Sequence, residues 1–372
     1  EYFEVFRRVS LEMIAAPDIP ENERLQIILF DRIVDFRRLQ RSRTVGGFFY
    51  HGTSGPRMIV APEEGTAVLF HEYVHYLMDR HSNVNYPRWY SEGLASVLES
   101  TAIRDDHVRV GLSTSNFNYA SLTGELGSAG YNPAPVGEMV SVEPLVGAGP
   151  FYATAWLMTH YFLIDAVDNP ERVQSTADYL LRFDAGEDPV EAFENAFGMT
   201  TAEMDSRLQA YGRDANFKTI VFPQVEYEGD VSTRMLTEPE SLYLLANLAA
   251  ELGRNRAAER YLRQFDRRDV DPVLGLRMQA IQAVVLGHEE EMEESDQIFD
   301  TLVASEPTDP DVVADMLHYA VDRIAYARRN GEEPGMSQLE AATGLGMSIV
   351  PDNPEHAEIF FKQKTAYEIM GN

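Results

Sequence analysis

An α+β fold that ends in an all-helical third is predicted by three features of this sequence. Short apolar runs at 25–30, 45–50 and 57–61, bounded by polar and turn residues, read as strands. From Gly65 the apolar spacing becomes helical, most plainly at 65–78 and 149–167. From Glu238 a helical pattern recurs, and Gly287 follows Gly253 by 34 residues, the spacing of a repeated helix pair.

The elements can be justified in chain order. A helical stretch at 33–39 separates the first strand from the two at 45–50 and 57–61. Next come the apolar helix around His71 and His75, then the segment Trp89-Tyr90-Ser91-Glu92-Gly93-Leu94-Ala95. Asn169-Pro170 restarts a helix after 167 that runs to about 183, and Ala185 to Pro189 break it before a helix ending at Phe197. Gly198-Met199-Thr200-Thr201 then caps another helix that ends near Gly212. Residues 217–227 read as an extended crossover carrying Pro223. Beyond it, Leu242, Leu245, Ala246, Gly253, Ala258, Leu262 and Phe265 fall at the small and large positions of a helix pair. A second copy fits only with a short insertion, and a looser third spans 311–351. Helix-pair arrays bury their core by stacking, and their concave faces bind peptides or proteins.

The chemistry is concentrated in His71-Glu72-Tyr73-Val74-His75. Residues four apart share a helical face, so both imidazoles can reach one ion. Glu72, one step round the helix, can touch a water on that ion without ligating it and can take its proton. Two imidazoles leave an ion under-coordinated, and Glu92 is the obvious third ligand. With nine histidines in 372 residues, such a motif arises by chance in roughly two chains per hundred of this composition. The plain alternative is a surface helix with solvated histidines. Phe70, Val74, Leu77 and Met78 argue against it, because they mark a largely buried helix, where histidines need partners.

His71, His75 and Glu92 in this arrangement resemble the gluzincin metallopeptidases, the thermolysin and aminopeptidase-like clan. The Trp-x-x-Glu-Gly-x-Ala pattern is most similar to the bacterial families called peptidase MA-like. The resemblance covers about 25–213 and implies a small mixed sheet packed on the metal helix, with a helical lower half as the far wall of a cleft. It implies His71, His75 and Glu92 as Zn2+ ligands and Glu72 as general base. The chain departs from the pattern at Ser96, where thermolysin-like members carry an aspartate. Glu99, one further turn along the same face, is a candidate to orient a ligand histidine instead. In the resembling families a Tyr-Ala-x-x-Trp segment begins the helix that closes the cleft, which makes Tyr152 a candidate oxyanion donor. Plain aromatic packing is the other role open to Tyr152. His160, on an apolar helix, reads as a satisfied core residue, and His51, His81 and His107 read as loop or surface residues.

Composition bounds the partners. The net charge of −29, with no basic patch, disfavours nucleic acid and anionic membrane surfaces. No stretch is apolar enough to span a membrane. The absence of cysteine excludes disulfides and thiolate ligands. The chain begins at Glu1, so a lost natural start is expected, and a cell-envelope or secreted location stays open. The segment 362–372 resembles a translated sequencing adapter: Lys362 and Lys364 stand beside a single earlier lysine, Lys218.

The expected organisation is a metallopeptidase domain at 1–213, with a sheet half at about 1–101 and a helical half at about 102–213. A linker at 214–237, tetratricopeptide-like repeats at 238–361 and the tail follow. The expected activity is zinc-dependent peptide-bond hydrolysis of a peptide or protein substrate, with the repeats open to a protein partner. Endopeptidase action is favoured because no Gly-x-Met-Glu-Asn-like segment for a free amino terminus is present. The alternatives are a non-catalytic or client-holding scaffold in envelope quality control, and hydrolysis of a non-peptide amide.

Overall fold

The computed structural model describes residues 2–14, 25–43, 45–52, 55–62, 64–81, 84–113, 133–142, 147–214, 216–223, 235–265, 271–288, 292–331 and 335–352. The tail at 362–372 and the centre of the acidic run at 288–294 lie outside the described residues. The chain is α+β, mostly helical, with two three-stranded sheets among the described residues. In chain order the elements are α1 (Tyr2–Met13), β1 (Gln26–Leu29), α2 (Ile33–Leu39), β2 (Gly47–Gly52), β3 (Gly55–Val60), α3 (Thr66–His81) and α4 (Arg88–Glu99). Then come β4 (Ala102–Ile103), β5 (His107–Val110), α5 (Val136–Met139), α6 (Ala148–Thr159), α7 (Pro170–Asp184), α8 (Pro189–Phe197), α9 (Thr201–Asp214) and β6 (Ile220–Pro223). The C-terminal helices are α10 (Glu238–Glu251), α11 (Asn255–Gln264), α12 (Pro272–His288), α13 (Met292–Ala304), α14 (Pro310–Arg329) and α15 (Ser337–Ile349).

Helix ends fall where capping chemistry puts them. Asp188 Oδ1 accepts from the N–H groups of Val190 and Glu191 at 3.0 and 3.1 Å, and Gly198 closes α8 at φ 63°. Thr200 and Glu203 cap α9 reciprocally, with Glu203 N–H donating to Thr200 Oγ1 at 3.2 Å and Thr200 N–H to Glu203 Oε2 at 2.8 Å. Thr237 and Glu240 form the same box at the start of α10. The apolar stretch at 149–167 is not one helix. After α6 the backbone widens into a π turn at His160–Ile164 and tightens into a 3-10 turn at Asp165–Asp168.

The chain divides into two compact units, one of Glu1–Ile19 with Glu64–Val231 and one of Pro20–Glu63 with Ser232–Asn372. This corrects the expected boundaries. The sheet half expected at 1–101 is split, and the small sheet that the resemblance placed with the metal helix belongs to the unit of the C-terminal helices. The reason lies in what fills its faces. In the sheet β1–β3–β2, β3 pairs in parallel with β1 and antiparallel with β2, and every residue of β3 is buried. Phe36, Leu39 and Ile59 share one core with Ala246, Ala249 and Tyr261 of α10 and α11. Arg57, on β3, donates to Asn247 Oδ1 at 2.5 Å and pairs with Glu251 at 3.2 Å. Asn247 in turn donates to Asp315 Oδ1 of α14 at 2.6 Å. Apolar and polar contacts alike therefore bind residues 26–60 to the C-terminal helices.

Within that second unit, α10 packs on α11 and α12, α12 on α13 and α14, and α14 on α15. The two helices of each pair meet, and the first helices of successive pairs also meet. The pairs begin at Glu238, Pro272 and Pro310, so the second step is longer than the first and the period stretches after one copy. Gly253 stands in the turn after α10 at φ 63°, whereas Gly287 lies inside α12. The two glycines that suggested the repeat are therefore not equivalent, although the first two helix starts keep its period.

In the first unit, α1 has no counterpart in the sequence reading. It packs on α3 through Phe6, stacked on Phe70 at 3.9 Å, and Phe3, edge-on to Tyr73 at 4.4 Å. The expected linker at 214–237 is partly strand, because β6 pairs antiparallel with β5, Val108 facing Phe222. Pro223 ends that edge strand, the place a sheet tolerates a missing N–H.

Candidate metal centre

Two helices build the centre. On α3 the residues Phe70, Tyr73, Val74, Leu77 and Met78 are buried, which fixes the helix rotation and leaves His71 and His75 half-buried on the remaining face. Helix α4 is anchored by Trp89, which is fully buried, its indole N–H donating to Tyr179 of α7 at 3.2 Å. Gly93 sets how close α4 comes to α6. A Cβ there would meet Thr159 Oγ1 and the Ala155 carbonyl oxygen, with the Ala155 carbonyl carbon at 2.9 Å. Alanine would improve helix propensity by about 0.8–1.0 kcal/mol, but forcing the backbones apart costs about 1–3 kcal/mol or more. The glycine of the Glu-Gly-x-Ala segment is thus a packing residue, and it holds Glu92 in place.

The donors converge. Glu92 Oε2 lies 3.3 Å from His71 Nε2 and 3.6 Å from His75 Nε2, and the three ligand atoms all fall within 4.8 Å of one another. Ligand atoms about 2.0–2.2 Å from one tetrahedral ion stand about 3.3–3.6 Å apart, so both separations suit a single cation. Among the described residues this is the one group of histidine and acidic donors that meets such a distance test.

Behind the ligands, His71 Nδ1–H donates to Glu99 Oε2 at 2.8 Å, while His75 Nδ1 lies 3.1 Å from Ser91 Oγ. A carboxylate only accepts, so Glu99 fixes the His71 tautomer and leaves Nε2 free to bind a metal. Ser96 is buried at 1% exposure, and the carboxylate on His71 comes from Glu99, one turn further along α4.

Charge follows from this geometry. Burial opposes a charge on His71, yet hydrogen bonds with Glu92 and Glu99 raise its pKa to about 10. Burial likewise opposes ionisation of Glu92, but His71 and His75 hold its carboxyl well below the usual carboxylate range. The pocket stabilises positive charge where the imidazoles meet, as a cation site requires.

Glu72 is buried at 9% exposure and does not join the ligand group. Its charge reaches both His71 and Tyr152. Tyr152, half-buried in the first turns of α6, is held in its neutral O–H form by burial and by the charges of Glu92 and Glu72, against Arg88. The tyrosine therefore stands within electrostatic reach of Glu92 with a proton to donate.

Among the described residues no other histidine joins this group. His160 is fully buried and satisfied, with Tyr211 Oη at 2.7 Å and the Gly111 carbonyl oxygen at 2.9 Å. His51 and His107 lie in strands rather than loops, and His81 ends α3. The sequence reading gave no role to Ser91, whose Oγ lies beside His75. A polar residue next to Glu92 was the available signal.

Replacing Glu99 with glutamine should weaken metal binding about 10–100-fold, the usual cost of losing a carboxylate behind a ligand histidine. Metal titration against a competing chelator measures this, and unchanged affinity would remove Glu99 from the centre. Among the described residues no helix is long and apolar enough to cross a membrane. Comparison with protein-family models, curated proteins and solved structures gives no match to this chain.

Proposed function

We propose that this chain is a zinc-dependent peptidase of gluzincin type, with His71, His75 and Glu92 holding the metal and Glu72 moving the protons. The observation that carries the reading is the convergence of two imidazole Nε2 atoms on one Glu92 oxygen at 3.3 and 3.6 Å, with a separate glutamate beside His71 in the chain. Two nitrogens and one carboxylate oxygen form the donor set of catalytic zinc sites that keep a fourth position open. Zinc bound there supplies a Lewis acid and lowers the pKa of a coordinated water toward neutrality.

The residues then divide the work. Glu72 accepts the proton of the attacking water and returns it to the leaving amine nitrogen. Tyr152 donates its O–H to the oxygen that gains charge as the carbonyl becomes tetrahedral. Glu99 and Ser91 hold the two imidazoles in register. The C-terminal pairs, whose first step from Glu238 to Pro272 has the tetratricopeptide period, support an array that would engage protein segments. The surplus of acidic residues favours basic or neutral segments over acidic ones.

Replacing His75 with alanine tests the reading directly. The intact chain is expected to bind one zinc and cleave members of a peptide library, whereas His75→Ala should lose stoichiometric zinc and all cleavage. Zinc retained by the variant at full occupancy would point to other ligands. Tyr152→Phe should keep zinc and lower kcat about 10- to 1000-fold if the hydroxyl serves the oxyanion. An unchanged kcat would reduce Tyr152 to packing. Cleavage products with intact blocked termini would fix the action as endopeptidase.

A further inference from the structure

We propose that Arg88 forms a carboxylate subsite at the open edge of the metal centre, so that preferred substrates carry a carboxylate near the scissile bond. The proposal rests on the hydrolytic reading above and adds its substrate class. The carboxylate can be the peptide's own C-terminus or an aspartate or glutamate side chain.

Four observations place the subsite. Arg88 opens α4 one i,i+4 step before Glu92, so the two side chains share a helical face. Its guanidinium lies over the Phe151 ring, 4.6 Å from the centroid. The neighbouring Tyr152 lies close enough to feel the charges of Arg88, Glu92 and Glu72. Arg88 is nevertheless exposed, so its remaining donors face solvent. It therefore borders the same space as the ligand Glu92 and the candidate oxyanion donor.

The setting leaves this cation open to a ligand. A positive side chain in the first turn of a helix opposes the helix dipole. Among the described residues Arg88 gains no ion pair in return. The contact it does make, with the Phe151 ring, holds it beside Tyr152 at the edge of the donor group. Stacking on Phe151 fixes the plane of the guanidinium, and a fixed planar fork matches a carboxylate with two parallel hydrogen bonds. The consequence for selectivity is large here because the surroundings are acidic. Glu72, Glu92 and Glu99 line the centre, and the chain carries a net charge of −29. An acidic substrate approaches against that field, and Arg88 gives it one place to dock.

The test uses the full chain loaded with zinc and an N-acetylated peptide library made twice, as free C-terminal acids and as C-terminal amides. Each set contains matched glutamate and glutamine versions. Cleavage gives kcat/KM, and calorimetric binding to the Glu72→Gln variant, with and without zinc, gives Kd without turnover. The expected result is a preference of at least about tenfold, or about 1.4 kcal/mol, for the carboxylate form in both measurements. Arg88→Ala should bring the two forms within about twofold while zinc content stays at one per chain, and Arg88→Lys should keep part of the preference. Whether amidation or the glutamate-to-glutamine change abolishes the preference identifies the source of the carboxylate.

Equal use of both forms by the unmodified chain overturns the subsite. So does a preference that survives Arg88→Ala, which would assign the carboxylate to the metal, and so does an absence of binding to either form at millimolar peptide. A purely structural arginine would instead lower acid and amide substrates alike in the variant, and that result too overturns the subsite. Failure of the hydrolytic reading is separate: it shows as absent zinc, or as turnover retained by Glu72→Gln.

Discussion

Glu72→Gln is expected to bind zinc as tightly as the unchanged chain and to lose peptide hydrolysis, kcat falling about 10²–10⁴-fold. Glutamine keeps the size and hydrogen-bonding shape of the side chain but cannot accept the water proton. Because Glu72 stands outside the ligand group, metal content should not change. The side chain is buried at 9% exposure on a helix packed by Phe70, Val74 and Leu77, so the substitution should leave the fold intact. Metal analysis beside single-turnover cleavage makes the comparison. Loss of zinc together with activity would mean that Glu72 is a ligand, and full activity would place the base elsewhere.

Arg57→Ala is expected to destabilise the second unit by about 3–5 kcal/mol, the range for removing one partner of a buried ion pair. That is a large share of the roughly 5–15 kcal/mol that holds a typical protein folded. The Arg57 and Glu251 side chains are only 3% and 1% exposed and meet at 3.2 Å. Removing the guanidinium leaves a buried carboxylate without this counter-charge and takes a donor from Asn247, which also bonds Asp315. Urea unfolding followed by circular dichroism reads the loss. A change below about 1 kcal/mol would mean that the pair is not what joins the sheet to the helices. The same network makes truncation after 237 a poor way to isolate the chemistry, since it would uncover Phe36, Ile59 and Arg57 at once.

The grouping of His71, His75 and Glu92 was more legible in the sequence than the chain's division into units. His71 and His75 owe their shared face to helical spacing alone, and Glu92 lies on the next helix after a short connection, so local rules were enough to bring the three together. Glu99 followed from the same periodicity, one turn past Ser96. Ser91 lies beside His75 through a contact that spacing does not rank. The membership of residues 26–60 could not be read locally either. Strand patterns state that a face will be buried, not by what, and here the covering side chains come from Ala246, Ala249 and Tyr261, far along the chain. The second sheet was missed for a similar reason. Its strands are too short for alternation to be informative, β4 being no more than Ala102 and Ile103.

The central claim is that one zinc is held by His71, His75 and Glu92, and its most direct test is the position of that ion. Crystals of the zinc-loaded chain, with anomalous data collected on both sides of the zinc absorption edge, should show one ion about 2.0–2.2 Å from His71 Nε2, His75 Nε2 and a Glu92 oxygen. Glu99 should remain on His71 Nδ1 behind it. An anomalous peak at any other set of side chains, or Glu92 several ångströms from an ion bound by the two histidines, would contradict the account.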